Sequence, residues 1–157
     1  MKFSTKEDLE TPIEQAFALF SDFDQFERSA LRRGIDVKRT DSLFRPGVGM
    51  TWRSAFKFRN KHRKVEAELI SYDPNDGYEI TLQSNDLSAL GTLELMSLSK
   101  SRTRATLSVE MKAKSLSGRL MIQTMRFGKS RLDKRFRIKA AEFVRVIERE
   151  HKTSKRV

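Results

Sequence analysis

Cysteine is absent from this 157-residue chain, histidine occurs twice and proline three times. Without cysteine there is no thiolate nucleophile, no disulfide and no thiolate-held zinc or iron–sulfur centre. Two histidines are too few for most histidine-rich metal clusters, so the sequence implies no metal and no cofactor. Long apolar runs are missing too: none approaches the roughly 18 residues of a membrane span, and the opening MKFSTKEDLE lacks the basic and then apolar segments of a signal peptide. A soluble, cytoplasmic protein with no transmembrane segment is expected.

Charge is what the chain has in plenty. Lys and Arg number 32 against 21 Asp and Glu, a formal net charge of +11. Charged residues make up 34% of the chain, where about 25% is ordinary for a globular protein. Apolar residues are nonetheless spread throughout, and a chain of this length buries about 70% of its unfolded surface without a covalent staple. One domain over residues 1–150 is expected, followed by a basic tail, HKTSKRV at 151–157, that frays.

Lys2 to Leu9 reads as a short extended segment. Thr11-Pro12 then supplies a helix start: a hydroxyl cap, proline at the first helical position, and Glu14 three residues after Thr11 as a capping box asks. Ile13, Ala16, Phe17 and Phe20 recur at helical spacing, and a second short helix through Phe26, Ala30 and Leu31 ends near Gly34, a left-handed stop. Beyond Gly34 the period becomes two. A turn at Arg45-Pro46-Gly47-Val48-Gly49 leads into an aromatic strand, with Met50, Trp52, Phe56 and Phe58 on one face and Thr51, Arg53, Lys57 and Arg59 on the other. Asn60 to Lys64 reads as a polar hairpin turn. Val65, Ala67 and Leu69 then alternate with Glu66 and Glu68, and Tyr78, Ile80 and Leu82 with Glu79, Thr81 and Gln83. Leu93, Leu95, Leu107, Val109 and Met111 continue the pattern of half-buried antiparallel strands. After Ser115-Leu116-Ser117-Gly118 the helical period returns, and Met121, Met125, Leu132, Phe136, Ala140, Phe143 and Ile147 form one stripe along a helix of about eight turns. Gly128 lies on that stripe and marks either a kink or a close backbone approach.

Three stretches stand out within this order: Thr11-Pro12-Ile13-Glu14-Gln15-Ala16-Phe17, Ser21-Asp22 closing the first helix, and Pro46-Gly47-Val48-Gly49-Met50-Thr51-Trp52 at the start of a strand. Over residues 2–150 the arrangement resembles the helix-grip fold of the START-like (SRPBCC) superfamily, which includes polyketide cyclase/dehydrase-like and birch-pollen-allergen-like proteins. The resemblance implies an α+β fold in which a curved antiparallel sheet of about seven strands, with two short helices, wraps a long C-terminal helix. It also implies a cavity between sheet and helix for an apolar or amphipathic small molecule. Members include lipid and hormone binders, cyclases and chaperone-associated proteins, so the resemblance implies a container without naming its contents.

Within that container the candidate wall residues are Trp52, Phe56, Phe58, Leu69, Leu82, Leu95, Met121 and Met125. Aromatic rings would stack on a ring-bearing ligand and methionines would adapt to it, yet each of these side chains equally suits plain core packing. Catalytic signals are thin. Nothing places a nucleophile beside His62, Glu66 and Glu68 share their strand face with Lys64 as a solvated, charge-paired surface, and Gly47-Val48-Gly49 lacks the sequel of a phosphate loop. No catalytic residue is nominated. Tyr72 and Tyr78 offer hydroxyls that either orient a ligand or cap a strand end.

A second reading rests on charge. Residues 129–157 hold eleven Lys or Arg and four Asp or Glu, +7 of the total +11. Arg131, Lys134 and Arg135 are the candidate contacts for an anionic partner, whether a membrane surface, nucleic acid or an acidic protein; the alternative is a solvated outer face. Phe127, Phe136 and Phe143 are expected on the core-facing side, so base stacking and sequence-specific nucleic-acid recognition are not expected. A cyclase- or hydratase-like enzyme comes third and requires a polar residue in the cavity with a perturbed pKa.

Overall fold

The computed structural model describes residues 1–58 and 60–155, with Phe58, Ser154 and Lys155 described in their backbone only. In chain order the elements are β1 (Lys2–Leu9), α1 (Ile13–Phe20), α2 (Phe23–Arg32), β2 (Asp36–Arg39), β3 (Thr51–Phe58), β4 (Lys61–Asp73), β5 (Gly77–Gln83), β6 (Leu87–Ser99), β7 (Arg102–Ala113), α3 (Leu116–Phe127) and α4 (Lys129–Lys155). The strands form one 7-stranded antiparallel sheet in the order β1-β7-β6-β5-β4-β3-β2. A bulge between Leu69 and Ser71 bends β4 and helps the sheet curve.

Period-two alternation gives the sheet its two faces. Leu69, Leu93, Leu95 and Ala105 are buried on the concave side, whereas Lys64, Glu66, Glu68 and Glu94 are exposed on the convex side. There Arg53 of β3 lies directly across from Glu66 of β4, Nε to Oε1 at 3.8 Å, as a solvated, charge-paired face requires. Two clusters fill the concave side. In one, Leu9, Phe17, Phe20 and Leu93 meet Val144 and Ile147 from the C-terminal half of α4. In the other, Phe23 of α2 packs with Met50, Trp52 and Leu69. Phe143 joins the helices, its ring 5.6 Å from Phe20 and 5.4 Å from Phe26.

Tertiary structure overrides several local expectations. Thr11 is fully buried, its carbonyl accepts the Thr103 hydroxyl at 2.7 Å, and its own hydroxyl has no hydrogen-bond partner among the described residues. Pro12 takes the cap position of α1 instead, with no side-chain cap, so the expected capping box does not form. Asp22 does cap α2, accepting from Gln25 N at 3.2 Å, and Gly34 follows the helix at φ +81° as expected. The polar run after Asn60 is strand rather than turn: Lys61 pairs with Phe58 and Arg63 with Phe56.

The closing helix is broken at Gly128. A Cβ there would meet nothing nearer than the Met125 carbonyl at 4.0 Å, so the glycine marks a kink and not a close approach. Its amide reaches back to Met125 O at 3.1 Å, and Leu132 N donates to Gly128 O at 2.9 Å as the helix resumes. The one expected stripe therefore becomes two, Met121 and Met125 on α3 and Phe136 to Ile147 on α4. The helix continues to Lys155, and His151, four residues beyond Ile147 on the same face, is 6% exposed. Phe127 is 94% exposed and does not join the core; two positions beyond Met125, it lies about 200° around the helix from that inward residue.

Candidate functional site

The concave face is not filled along its whole length. Toward the end of β3 and the start of β4, the strands and α3 enclose a cleft of about 670 Å³. Phe56, Val65, Leu82, Ala89, Met111 and Met121 supply its apolar wall. Strand register explains why they meet: Leu82 pairs with Ala89, and Ala89 with Met111, so one row of side chains crosses three strands on a single face. None of these six is fully buried.

α3 forms the opposite wall because its start is fastened to the β5–β6 turn. Ser115 caps the helix by accepting from Gly118 N at 3.0 Å, and its hydroxyl donates to the Asp86 carboxylate at 2.8 Å. Lys114 N donates to Asp86 O at 2.8 Å, and Lys114 Nζ to Ser84 O at 2.9 Å. Gly118 lies so close to this turn that a methyl group in its place would overlap the Asp86 carbonyl.

Among the candidate wall residues the structure brings together Phe56, Leu82 and Met121. Trp52 and Leu69 belong to the Phe23 cluster and Leu95 to the Phe17 cluster, where they act as core. Met125 is half-buried on α3 and does not line the cleft, and the side chain of Phe58 lies outside the described residues. Arg63 is not among the candidates that the sequence offers, because its polar surroundings suggest a turn. It is half-buried, lines the cleft, and shares the concave face with Val65 two positions on. Extending the Val65–Ala67–Leu69 alternation backwards by two residues would have found it. Lys61, two positions before Arg63 on the same face, also borders this cleft, whose one acidic lining residue among those described, Asp86, already accepts the Ser115 hydroxyl. The cleft is thus apolar in its depth and cationic along β4.

Polar clusters elsewhere serve architecture. Asp41, 7% exposed in its side chain, takes Arg39 in a fork at 2.7 and 2.9 Å and accepts from Thr51 N and Leu43 N, both at 2.9 Å. The Arg39 hydrogen bonds hold its carboxyl far below the usual range, against an opposing push from burial. Arg39 stacks 5.9 Å from the Trp52 ring, and Trp52 Nε1 donates to Glu27 at 2.6 Å. Tyr78 donates to Phe20 O at 2.7 Å, capping the end of α1; burial pushes its phenol up, so it remains a neutral donor. Arg131, Lys134 and Arg135 are all exposed on α4. Among the described residues no three His, Asp or Glu gather as a metal site would, and no helix is long and apolar enough to cross a membrane.

Solved structures match nearly the whole chain. Norcoclaurine synthase from Thalictrum flavum, in complex with dopamine and hydroxybenzaldehyde, is 12% identical at a TM-score of 0.66, over 96% of this chain and 87% of that one. The Zhui aromatase/cyclase from Streptomyces sp. R1128 is 9% identical at 0.63, over 92% and 90%. A START superfamily protein from Mycobacterium smegmatis is 13% identical at 0.55, over 85% and 95%. No protein-family model matches the chain, and no curated protein does. At such identities the likeness is one of fold: this chain has the helix-grip fold of START-like proteins, as its residues implied.

Proposed function

We propose that the protein binds a small amphipathic molecule in the cleft between the concave sheet and α3. The observation that carries this reading is a cleft of about 670 Å³ with an apolar row from Phe56 to Met121 and a cationic border along β4. Ligand pockets typically span about 300–1,000 Å³, with mostly apolar walls and a few polar groups that fix orientation. Apolar area removed from water drives binding at roughly 25 cal/mol per Å², before ordering costs are subtracted. The fold supports the reading as a container, and solved structures that share it include one holding small aromatic molecules.

Native mass spectrometry of the freshly purified protein, followed by organic extraction, tests it. A discrete extractable adduct is expected, and Ala89→Phe, which places a ring in the row joining Leu82 to Met111, is expected to remove it while the fold is retained. An adduct that survives in a folded Ala89→Phe variant would move the ligand elsewhere.

A second reading is attachment to an anionic partner through α4, favoured by the exposure of Arg131, Lys134 and Arg135. Reversing those three charges is expected to abolish attachment and leave the cleft adduct unchanged.

A further inference from the structure

α3 has two apolar faces, and only one of them is covered. Met121, Ile122 and Met125 turn toward the protein, whereas Leu116, Leu120 and Phe127 are 73%, 57% and 94% exposed. At about 100° per residue those three side chains fall within about 40° of one another, a ridge whose middle turn carries the exposed Gln123, about 20° from Leu116. Thr124 borders the ridge, and its hydroxyl is already satisfied by donating to Leu120 O at 2.9 Å. Arg119 and Arg126, both exposed, stand along one flank. Residues 111–132 contain Lys112, Lys114, Arg119, Arg126, Lys129 and Arg131 and no Asp or Glu.

An apolar ridge flanked by cations on a short helix is the pattern of an interfacial helix, whose hydrocarbon enters the acyl boundary while its charges meet headgroup phosphates. Nucleic acid would match the cations but leave the leucines and the phenylalanine in water. A second copy seated on the same face would set Arg119 and Arg126 against their own equivalents. We infer that α3 docks the protein on an anionic lipid bilayer by inserting Leu116, Leu120 and Phe127, with Arg119 and Arg126 at the phosphates. This narrows the anionic-partner reading to lipid and moves its contacts from the α4 charges to α3; it holds whether or not the cleft is occupied. Met121, on the covered face of the same helix, lines the cleft, so docking brings the cleft wall to the bilayer.

Co-sedimentation with phosphatidylcholine vesicles, with and without about 30% phosphatidylserine, tests the inference on the full chain. Binding is expected only with phosphatidylserine, and Leu120→Ser/Phe127→Ser is expected to weaken it about tenfold with an unchanged circular dichroism spectrum. Because the chain has no cysteine, an environment-sensitive dye can be placed singly at Leu120→Cys, or at Lys100→Cys in the exposed β6–β7 turn as control. A blue shift on vesicles is expected at 120 and not at 100. The inference is overturned if the double serine variant binds as the unaltered protein does, if the dye at 120 stays in water, or if the serines merely convert a dimer into a monomer. Loss of vesicle binding on reversing Arg131, Lys134 and Arg135, with no effect of the serines, would leave the α4 reading standing and remove this one. Absence of vesicle binding by the unaltered protein would remove the bilayer from both.

Discussion

Trp52 shows how one residue can be read two ways from sequence and only one way from its neighbours. It is 7% exposed, packs against Phe23 at 5.5 Å with the rings tilted by 55°, donates to Glu27, and lines no part of the proposed cleft. Trp52→Ala is therefore expected to cost about 3–5 kcal/mol of stability, measured by urea denaturation, and loss of a ligand in that variant would report unfolding. Arg63 is the sharper probe of recognition. Arg63→Gln is expected to weaken a dansylated fatty acid about tenfold, roughly 1.4 kcal/mol, and to leave its methyl ester unaffected, in a fluorescence titration. Equal weakening of acid and ester would show that Arg63 shapes the wall and does not read charge. Asp41 governs a pH dependence. Its folded pKa lies below the unfolded value, so its contribution is complete above about 4 and is lost as pH falls through the folded pKa. Asp41→Asn is expected to lower the melting temperature at neutral pH, with the gap to the unaltered protein closing under acid. A gap that stays constant down to about pH 2 would assign the effect to hydrogen-bond geometry and not to charge.

At the scale of elements, periodicity made the sheet legible and tertiary contact decided its ends. Alternation over Val65, Ala67 and Leu69 placed β4 correctly, because one wet face and one dry face impose a period of two. It stopped short at Lys64 because a charge run resembles a turn, although long cationic side chains also serve as strand residues over a cleft. Gly128 could be recognised as an anomaly, but sequence alone could not choose between a kink and a close approach; the open space around it decides for the kink. The close approach belongs to Gly118, which looked like an ordinary helix start. Gly118→Ala is expected to destabilise the protein by about 1–3 kcal/mol, because the methyl overlaps the Asp86 carbonyl and must push α3 off the β5–β6 turn. Hydrogen exchange should localise the loosening to α3 and residues 84–87. A uniform change, or none, would mean that the Ser115–Asp86 contact alone holds the helix.

For the whole molecule, the helix-grip architecture was readable because element order and two periodicities constrain topology strongly. The cleft's composition was not, because Trp52, Phe56 and Leu69 share one face in sequence while packing divides them between core and cleft. Net charge acts at this scale too. At +11 the folded chain repels itself, and ordinary salt screens that repulsion, since the Debye length shrinks from about 30 Å at about 0.01 M to about 10 Å at about 0.1 M. Surface ion pairs such as Asp8–Arg104, at 2.8 Å, weaken with salt but are individually small. The melting temperature is therefore expected to rise over that range of sodium chloride, while binding to phosphatidylserine vesicles falls. Opposite signs in one titration would separate self-repulsion from attraction to an anionic surface. A melting temperature that drops with salt would instead show that the local pairs outweigh the net charge, and that the positive surface is already balanced within the fold.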